Sequence, residues 1–150
     1  MHLRTILHPT DYSELAQQAL RFAADLAHRS GAELVILHVV DSLFPEHLSY
    51  GEATAHRQPE FYQQQLWDEL RRIGPADSAV RVTYQLREGE PAAEIIREAQ
   101  ERPCDLIVMG SHGRTGLARV LLGSKAEQVM RGAPCPVLLV KSASSPAATG

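Results

Sequence analysis

Short aliphatic runs recur along this chain with helical stripes between them, and that alternation restricts the fold more than any other feature. Thr5–Leu7, Leu34–Val40, Leu106–Met109 and Val137–Val140 read as buried strands. Strands this apolar are buried on both faces, as in a parallel sheet with helices above and below. A fifth segment, Val80–Leu86, alternates Val80, Val82, Tyr84 and Leu86 and predicts a strand with one wetter face. From Glu14 to Arg29, Leu15, Ala16, Ala19, Leu20, Ala23, Leu26 and Ala27 form a stripe of helical period, with Gly31 as the stop. Pro59–Ile73 places Tyr62, Leu66, Leu70 and Ile73 on one face and ends at Gly74-Pro75. Pro91–Glu101 opens with proline in its first turn, and Ser124–Arg131 carries Val129 and Met130 before Gly132. The order β-α-β-α-β-α-β-α-β predicts an α/β fold with a mainly parallel sheet.

The 150 residues suffice for one domain. With 44% apolar residues the chain is not disordered, and with Phe 3, Trp 1 and Tyr 4 its core must be aliphatic. The single domain is expected over 1–141, with a long lid-like or partner-binding loop at 42–58 and a frayed tail at 142–150. A net charge of −3 gives no general attraction to nucleic acid or anionic lipid, so neither is expected as a partner. The N-terminus runs straight into a strand, and no apolar run approaches the 18 or so residues of a membrane span. A soluble cytoplasmic protein is expected. Two cysteines make no disulfide scaffold, and the seven histidines show no helical metal-ligand spacing. No metal site built from protein ligands is expected.

Open parallel sheets bind ligands beyond the carboxyl ends of their strands, where the chain order reverses. The first such loop reads His8-Pro9-Thr10-Asp11-Tyr12-Ser13-Glu14. Asp11 or Ser13 can cap the following helix, and Asp11 with Glu14 has capping-box spacing; alternatively Asp11 is a carboxylate at the ligand end. His8 and His38 sit at strand ends and read as structural. The loop after the fourth strand says more. It runs Met109-Gly110-Ser111-His112-Gly113-Arg114-Thr115-Gly116, and reaches a helix at Gly123-Ser124-Lys125. Clustered glycines let backbone N–H groups approach a ligand closely. Ser124-Lys125-Ala126-Glu127 has the form of a capping box. A helix N-terminus behind a glycine suits an anion, and Arg114 and Lys125 add positive charge. Together these features point to phosphate. The P-loop, the dinucleotide fingerprint and the nucleophile elbow are all absent.

These residues resemble the ATP-binding subgroup of the universal stress protein family. The resemblance runs from Ile6-Leu7-His8-Pro9-Thr10-Asp11-Tyr12-Ser13 to Pro136-Val137-Leu138-Leu139-Val140-Lys141. The family motif G-x2-G-x9-G-[ST] reads Gly110-x2-Gly113-x9-Gly123-Ser124. The resemblance implies a Rossmann-like five-stranded parallel sheet in the order 3-2-1-4-5, with helices on both faces, and a homodimer paired through Val137–Lys141. It implies that Asp11 holds the ribose hydroxyls and that Val39 meets adenine through its backbone, with Pro9 and Thr10 nearby. Gly110 would lie against the ribose, and Met109 just before it counts among the nucleotide-binding residues. Gly113, Gly123 and Ser124 would bind the phosphates of ATP, ADP or AMP, with Mg²⁺ or Mn²⁺ held through phosphate oxygens. His112, Arg114 and Lys125 are expected beside them; Lys125 departs from the small or β-branched residue usual there.

The expected function is an adenine-nucleotide-binding stress-response regulator that switches conformation or an unidentified protein partner. The alternatives are a slow ATPase and a nucleotide-free dimeric scaffold. No placed general base is evident beyond His112, which can equally donate to phosphate, so a dedicated enzyme is not expected. The implied neighbourhood of the fourth and fifth strands also brings Cys104 and Cys135 together at the amino end of the sheet, as reduced structural thiols; they are close enough in this reading for a disulfide, which is not the expected state in the cytoplasm.

Overall fold

The computed structural model describes residues 2–41, 59–112 and 122–142. The expected lid, Gly113, Arg114 and the tail from residue 143 lie outside the described residues. The elements are β1 (Thr5–Thr10), α1 (Glu14–Ser30), β2 (Glu33–Asp41), α2 (Pro59–Arg71), β3 (Val82–Gly89), α3 (Pro91–Glu101), β4 (Leu106–Gly110), α4 (Ser124–Gly132) and β5 (Val137–Val140). The strands form one sheet in the order β3-β2-β1-β4-β5, and every neighbouring pair is parallel.

Side chains alternate between the two sheet faces, and each face meets its own helices. Ile6, Leu34, Ile36 and Val108 pack with Ala19, Leu20, Ala23 and Ala27 of α1 and with Leu70 of α2. Leu7, Val35, Leu37, Ile107 and Met109 pack with Ala92, Ile95 and Ala99 of α3 and Ala126 and Val129 of α4. Small alanines on the helices and branched aliphatics on the strands fill the buried core, with Trp67 and Tyr84 packed only at its margin. Burial of each large aliphatic side chain contributes about 1.5–3 kcal/mol. Gly31 adopts a left-handed conformation (φ 73°) and ends α1, where its N–H donates to the Ala27 carbonyl.

Several boundaries differ from expectation: α2 ends at Arg71 rather than Ile73, β3 runs on to Gly89 rather than ending at Leu86, and the β3 start and the β1 end are also displaced. β3 begins at Val82, so Val80 is a buried residue ahead of the strand, and the strand is half-buried along nearly its whole length. It is an edge strand, tied down by polar contacts. Tyr84 donates its hydroxyl to the Ile73 carbonyl at 2.7 Å, and Arg87 pairs with Glu94, Glu98 and Glu101 at 3.2, 2.6 and 2.5 Å. β1 runs on to Thr10, so His8, Pro9 and Thr10 belong to the strand and the loop begins only at Asp11.

This extension matters because β1 parts from one neighbour while keeping the other. Its register with β2 continues from Thr5↔Glu33 to Thr10↔His38, whereas that with β4 covers only Ile6↔Leu106 and Leu7↔Ile107. In a parallel ladder every second residue bonds a given neighbour, so the donor after Leu7 would be residue 9. Residue 9 is proline, which has no N–H. The Val108 carbonyl instead accepts from His8 Nδ1 at 2.9 Å. The strands therefore separate at the point where the chain order reverses, and the gap opens toward the carboxyl ends.

Candidate functional site

One wall of the gap is the passage from β1 into α1. Thr10 Oγ1 accepts from the Tyr12 N–H (3.1 Å), Asp11 Oδ1 from the Ser13 N–H (2.9 Å) and Ser13 Oγ from the Ala16 N–H (3.1 Å). Ser13, not Asp11, is therefore the N-cap of α1, and the Asp11–Glu14 capping box does not form. The Asp11 carboxylate is fixed by this turn at the strand end. Tyr12 has φ 63°, the only positive φ of a non-glycine residue among the described residues. A bulky side chain there is an outlier that neighbouring contacts must hold. Its ring lies 4.5 Å from that of His38, whose Nδ1 donates to the Thr10 carbonyl at 2.8 Å.

His8 lies beneath this wall, within β1 rather than at its end, and is fully buried. Burial drops its pKa to about 4, despite the Val108 hydrogen bond and the Asp11 charge, which both push upward. The imidazole is thus neutral at pH 7, with Nδ1 protonated and Nε2 carrying no hydrogen-bond partner.

The other wall is the passage from β4 into α4. Ser111 follows β4 and is 3% exposed, yet its hydroxyl has no hydrogen-bond partner. Gly123 returns to it, donating its N–H to the Ser111 carbonyl at 2.8 Å. A Cβ on Gly123 would stand 2.9 Å from that oxygen and 3.2 Å from His112 Cα, so only glycine fits without displacement. One on Gly110 would meet Leu15 Cγ at 3.1 Å and the His112 carbonyl oxygen at 3.4 Å.

The expected Ser124 capping box is not formed. Gly123 itself is the N-cap of α4, its carbonyl accepts from the Glu127 N–H at 2.9 Å, and Ser124 is the first helical residue. The tight seat of Gly123 against Ser111 and His112 moves the helix start one residue earlier than the serine suggests. No side chain caps α4, so its first-turn N–H groups face the gap without the acceptor that α1 has in Ser13. Lys125 Nζ lies 3.8 Å from Asp41 Oδ2 at the end of β2, joining the α4 start to the far side of β1.

The structure thus brings Gly123 together with Ser111 and His112, and Lys125 with Asp41. Pro9 and Thr10 are buried in β1, and Asp11 stands at its end. Val39 and Met109 turn their side chains into the core beneath α3 and α4. Sequence reasoning assigned no role to Tyr12, Asp41 or the Ser111 hydroxyl. Asp41 had a signal, as the carboxylate ending the second aliphatic run. Tyr12 had none, because its conformation follows from the turn. Among the described residues no three His, Cys, Asp or Glu side chains gather as metal ligands, and no helix is long and apolar enough to cross a membrane.

A model of the universal stress protein family matches residues 2–141. The chain belongs to the universal stress protein family. It is 36% identical over 140 residues to universal stress protein MJ0531 of Methanocaldococcus jannaschii, covering 92% of this chain and 82% of that one. Among solved structures it resembles that of hypothetical protein MJ0577 from the same organism. That match has a TM-score of 0.73 and 31% identity, covering 97% of this chain and 100% of the other. A universal stress protein solved in complex with cAMP has a TM-score of 0.67 and 25% identity, covering 93% of this chain and 98% of its own. The expected sheet order is the observed one.

Proposed function

We propose that this universal stress protein binds an adenine nucleotide in the gap between β1 and β4 and acts as a nucleotide-dependent regulatory switch. The observation that carries the reading is the start of α4. An uncapped helix end, seated on glycine beside a buried hydroxyl without a partner, suits the oxygens of a phosphate. The relative in complex with cAMP supports adenine as the base. In this reading the Asp11 carboxylate accepts from the ribose hydroxyls, and the Val39 backbone meets the adenine edge beside Pro9 and Thr10. Gly110 backs the ribose, with Met109 before it in β4. The Ser124 hydroxyl and the Ser124–Ala126 N–H groups donate to phosphate above the Gly123 seat, with His112, Gly113, Arg114 and Lys125 around it. A divalent cation, Mg²⁺ or Mn²⁺, would neutralise phosphate oxygens and take its ligands mainly from them. The protein works in the cytoplasm as a homodimer through Val137–Lys141, and occupancy is read by a protein partner.

Calorimetric titration with ATP, ADP, AMP and cAMP in the presence of Mg²⁺ tests this. Saturable binding that is lost in Asp11→Ala is the expected result. Absence of heat with every nucleotide at millimolar concentration overturns the reading. Single-turnover hydrolysis no faster than that of free ATP is expected as well, since the proposal is a switch rather than a hydrolase.

A further inference from the structure

Cys104 and Cys135 stand at the opposite end of the sheet from the gap. Their sulfurs are 3.6 Å apart although 31 positions separate them in sequence. Each lies just before a strand, β4 and β5 respectively, and the Ile107 N–H bond to the Pro136 carbonyl (3.0 Å) holds the two strand starts together. Proline precedes both cysteines and follows the second (Pro103, Pro134 and Pro136), which restricts the backbone on either side of the pair. Both thiols are half-buried, packed on the core yet reachable. At 3.6 Å the sulfurs are in van der Waals contact and unbonded, and a bond of about 2 Å needs them to close by a further 1.5 Å or so.

We propose that this pair is a reversible oxidation site, at which a peroxide converts the two thiols into an intramolecular disulfide that staples β4 to β5. Burial holds both groups as thiols, Cys104 most strongly, its pKa pushed up to about 12. Burial raises Cys135 too, but the Cys104 S–H donates toward it and offsets part of the rise. Cys135 is therefore the first to ionise. Its thiolate attacks one peroxide oxygen and the O–O bond breaks. The departing oxygen leaves as water, or as an alcohol from an organic peroxide, and Cys135 becomes a sulfenic acid. The Cys104 sulfur then attacks the Cys135 sulfur, the S–O bond breaks, and the hydroxyl departs with the Cys104 proton as water. Two electrons pass from the two sulfurs to the peroxide, and an external dithiol reverses the change.

The test exposes the full chain to hydrogen peroxide and reads intact mass, free thiols and peptides mapped without reductant. The expected outcome is joint loss of both thiols, a mass lower by two hydrogens, a linked Cys104–Cys135 peptide and recovery with dithiothreitol. In Cys104→Ser, the Cys135 sulfenic acid should accumulate and be trapped by dimedone. Cys135→Ser should react slower by roughly tenfold or more, as a thiol held from ionising predicts. Oxygen adducts without a linked peptide in the wild-type chain, or links only between two chains, overturn the proposal. Equal rates in the two variants overturn Cys135 as the attacking sulfur.

Discussion

The two strand-to-helix passages that face each other across the gap are built on opposite principles. From β1 to α1 the chain takes three residues and satisfies itself: Thr10, Asp11 and Ser13 each accept a backbone N–H, and the helix is capped. From β4 to α4 the path is long and bounded by Gly110 and Gly123. It leaves a buried serine hydroxyl without a partner and a helix without a cap. One wall is closed by its own side chains, and the other is complementary to something that supplies acceptors. A ligand site needs both, a rigid face to set position and an unsatisfied face to supply affinity.

The closed wall rests on a neutral buried imidazole, which gives the largest predicted effect. His8 titrates near 4 in the folded chain against 6.5 when exposed. Between those values the unfolded chain takes up a proton that the folded one refuses. Stability is therefore full above pH 6.5 and declines as pH falls toward 4, by about 3 kcal/mol in total. Urea unfolding at pH 7 and pH 4.5 should show the wild type losing about 2–3 kcal/mol more than His8→Gln, whose amide cannot take the proton. Parallel losses would remove the imidazole as a support of this wall.

The open wall should fail through its glycine seat. In Gly123→Val the new side chain collides with the Ser111 carbonyl and His112. Overpacking of this kind costs about 1–3 kcal/mol, and displacement of the phosphate donors should weaken nucleotide binding by roughly 10- to 100-fold. Calorimetry with ATP checks it; unchanged affinity would mean that the Gly123 seat is not part of the site.

Which of these features the sequence discloses depends on how local their cause is. Strand and helix positions follow from hydrophobic period, whereas the sheet order is what the family resemblance implies. The end of β1 was misplaced because His8-Pro9-Thr10 lacks the aliphatic signature, and only the paired strand β2 holds it extended. The α4 cap was misassigned because Ser-x-x-Glu spacing is a local signal, whereas the seat of Gly123 is set by Ser111, a contact across the loop. Tyr12 is illegible for the same reason, since its tilted contact with His38 joins the turn after β1 to β2.

The cap difference gives a paired prediction of smaller size. Ser13→Ala should destabilise the protein by about 1 kcal/mol through loss of the α1 cap and leave nucleotide affinity nearly unchanged. Ser124→Ala should do the reverse, since no cap bond is lost. Its stability should stay within about 0.5 kcal/mol of wild type while ATP affinity falls. Thermal melts and titrations on the same two proteins decide it, and a stability loss in Ser124→Ala equal to that in Ser13→Ala would mean that the two helix starts are alike after all.

The smallest effect concerns the only cation described at the open wall. Lys125 faces Asp41 at 3.8 Å with about half of its side chain exposed, so the pair contributes little to stability. Its importance lies in direction, because the same ammonium can turn from Asp41 to a phosphate tail lying over the α4 end. Lys125→Met should therefore lower ATP affinity roughly three- to fivefold, leave AMP almost untouched, and flatten the salt dependence of ATP binding. Asp41→Asn should shift ATP affinity the other way, by removing the competing carboxylate. Equal losses for ATP and AMP in Lys125→Met would place the ammonium beside the first phosphate instead, and would extend the open wall down to the nucleoside end of the gap.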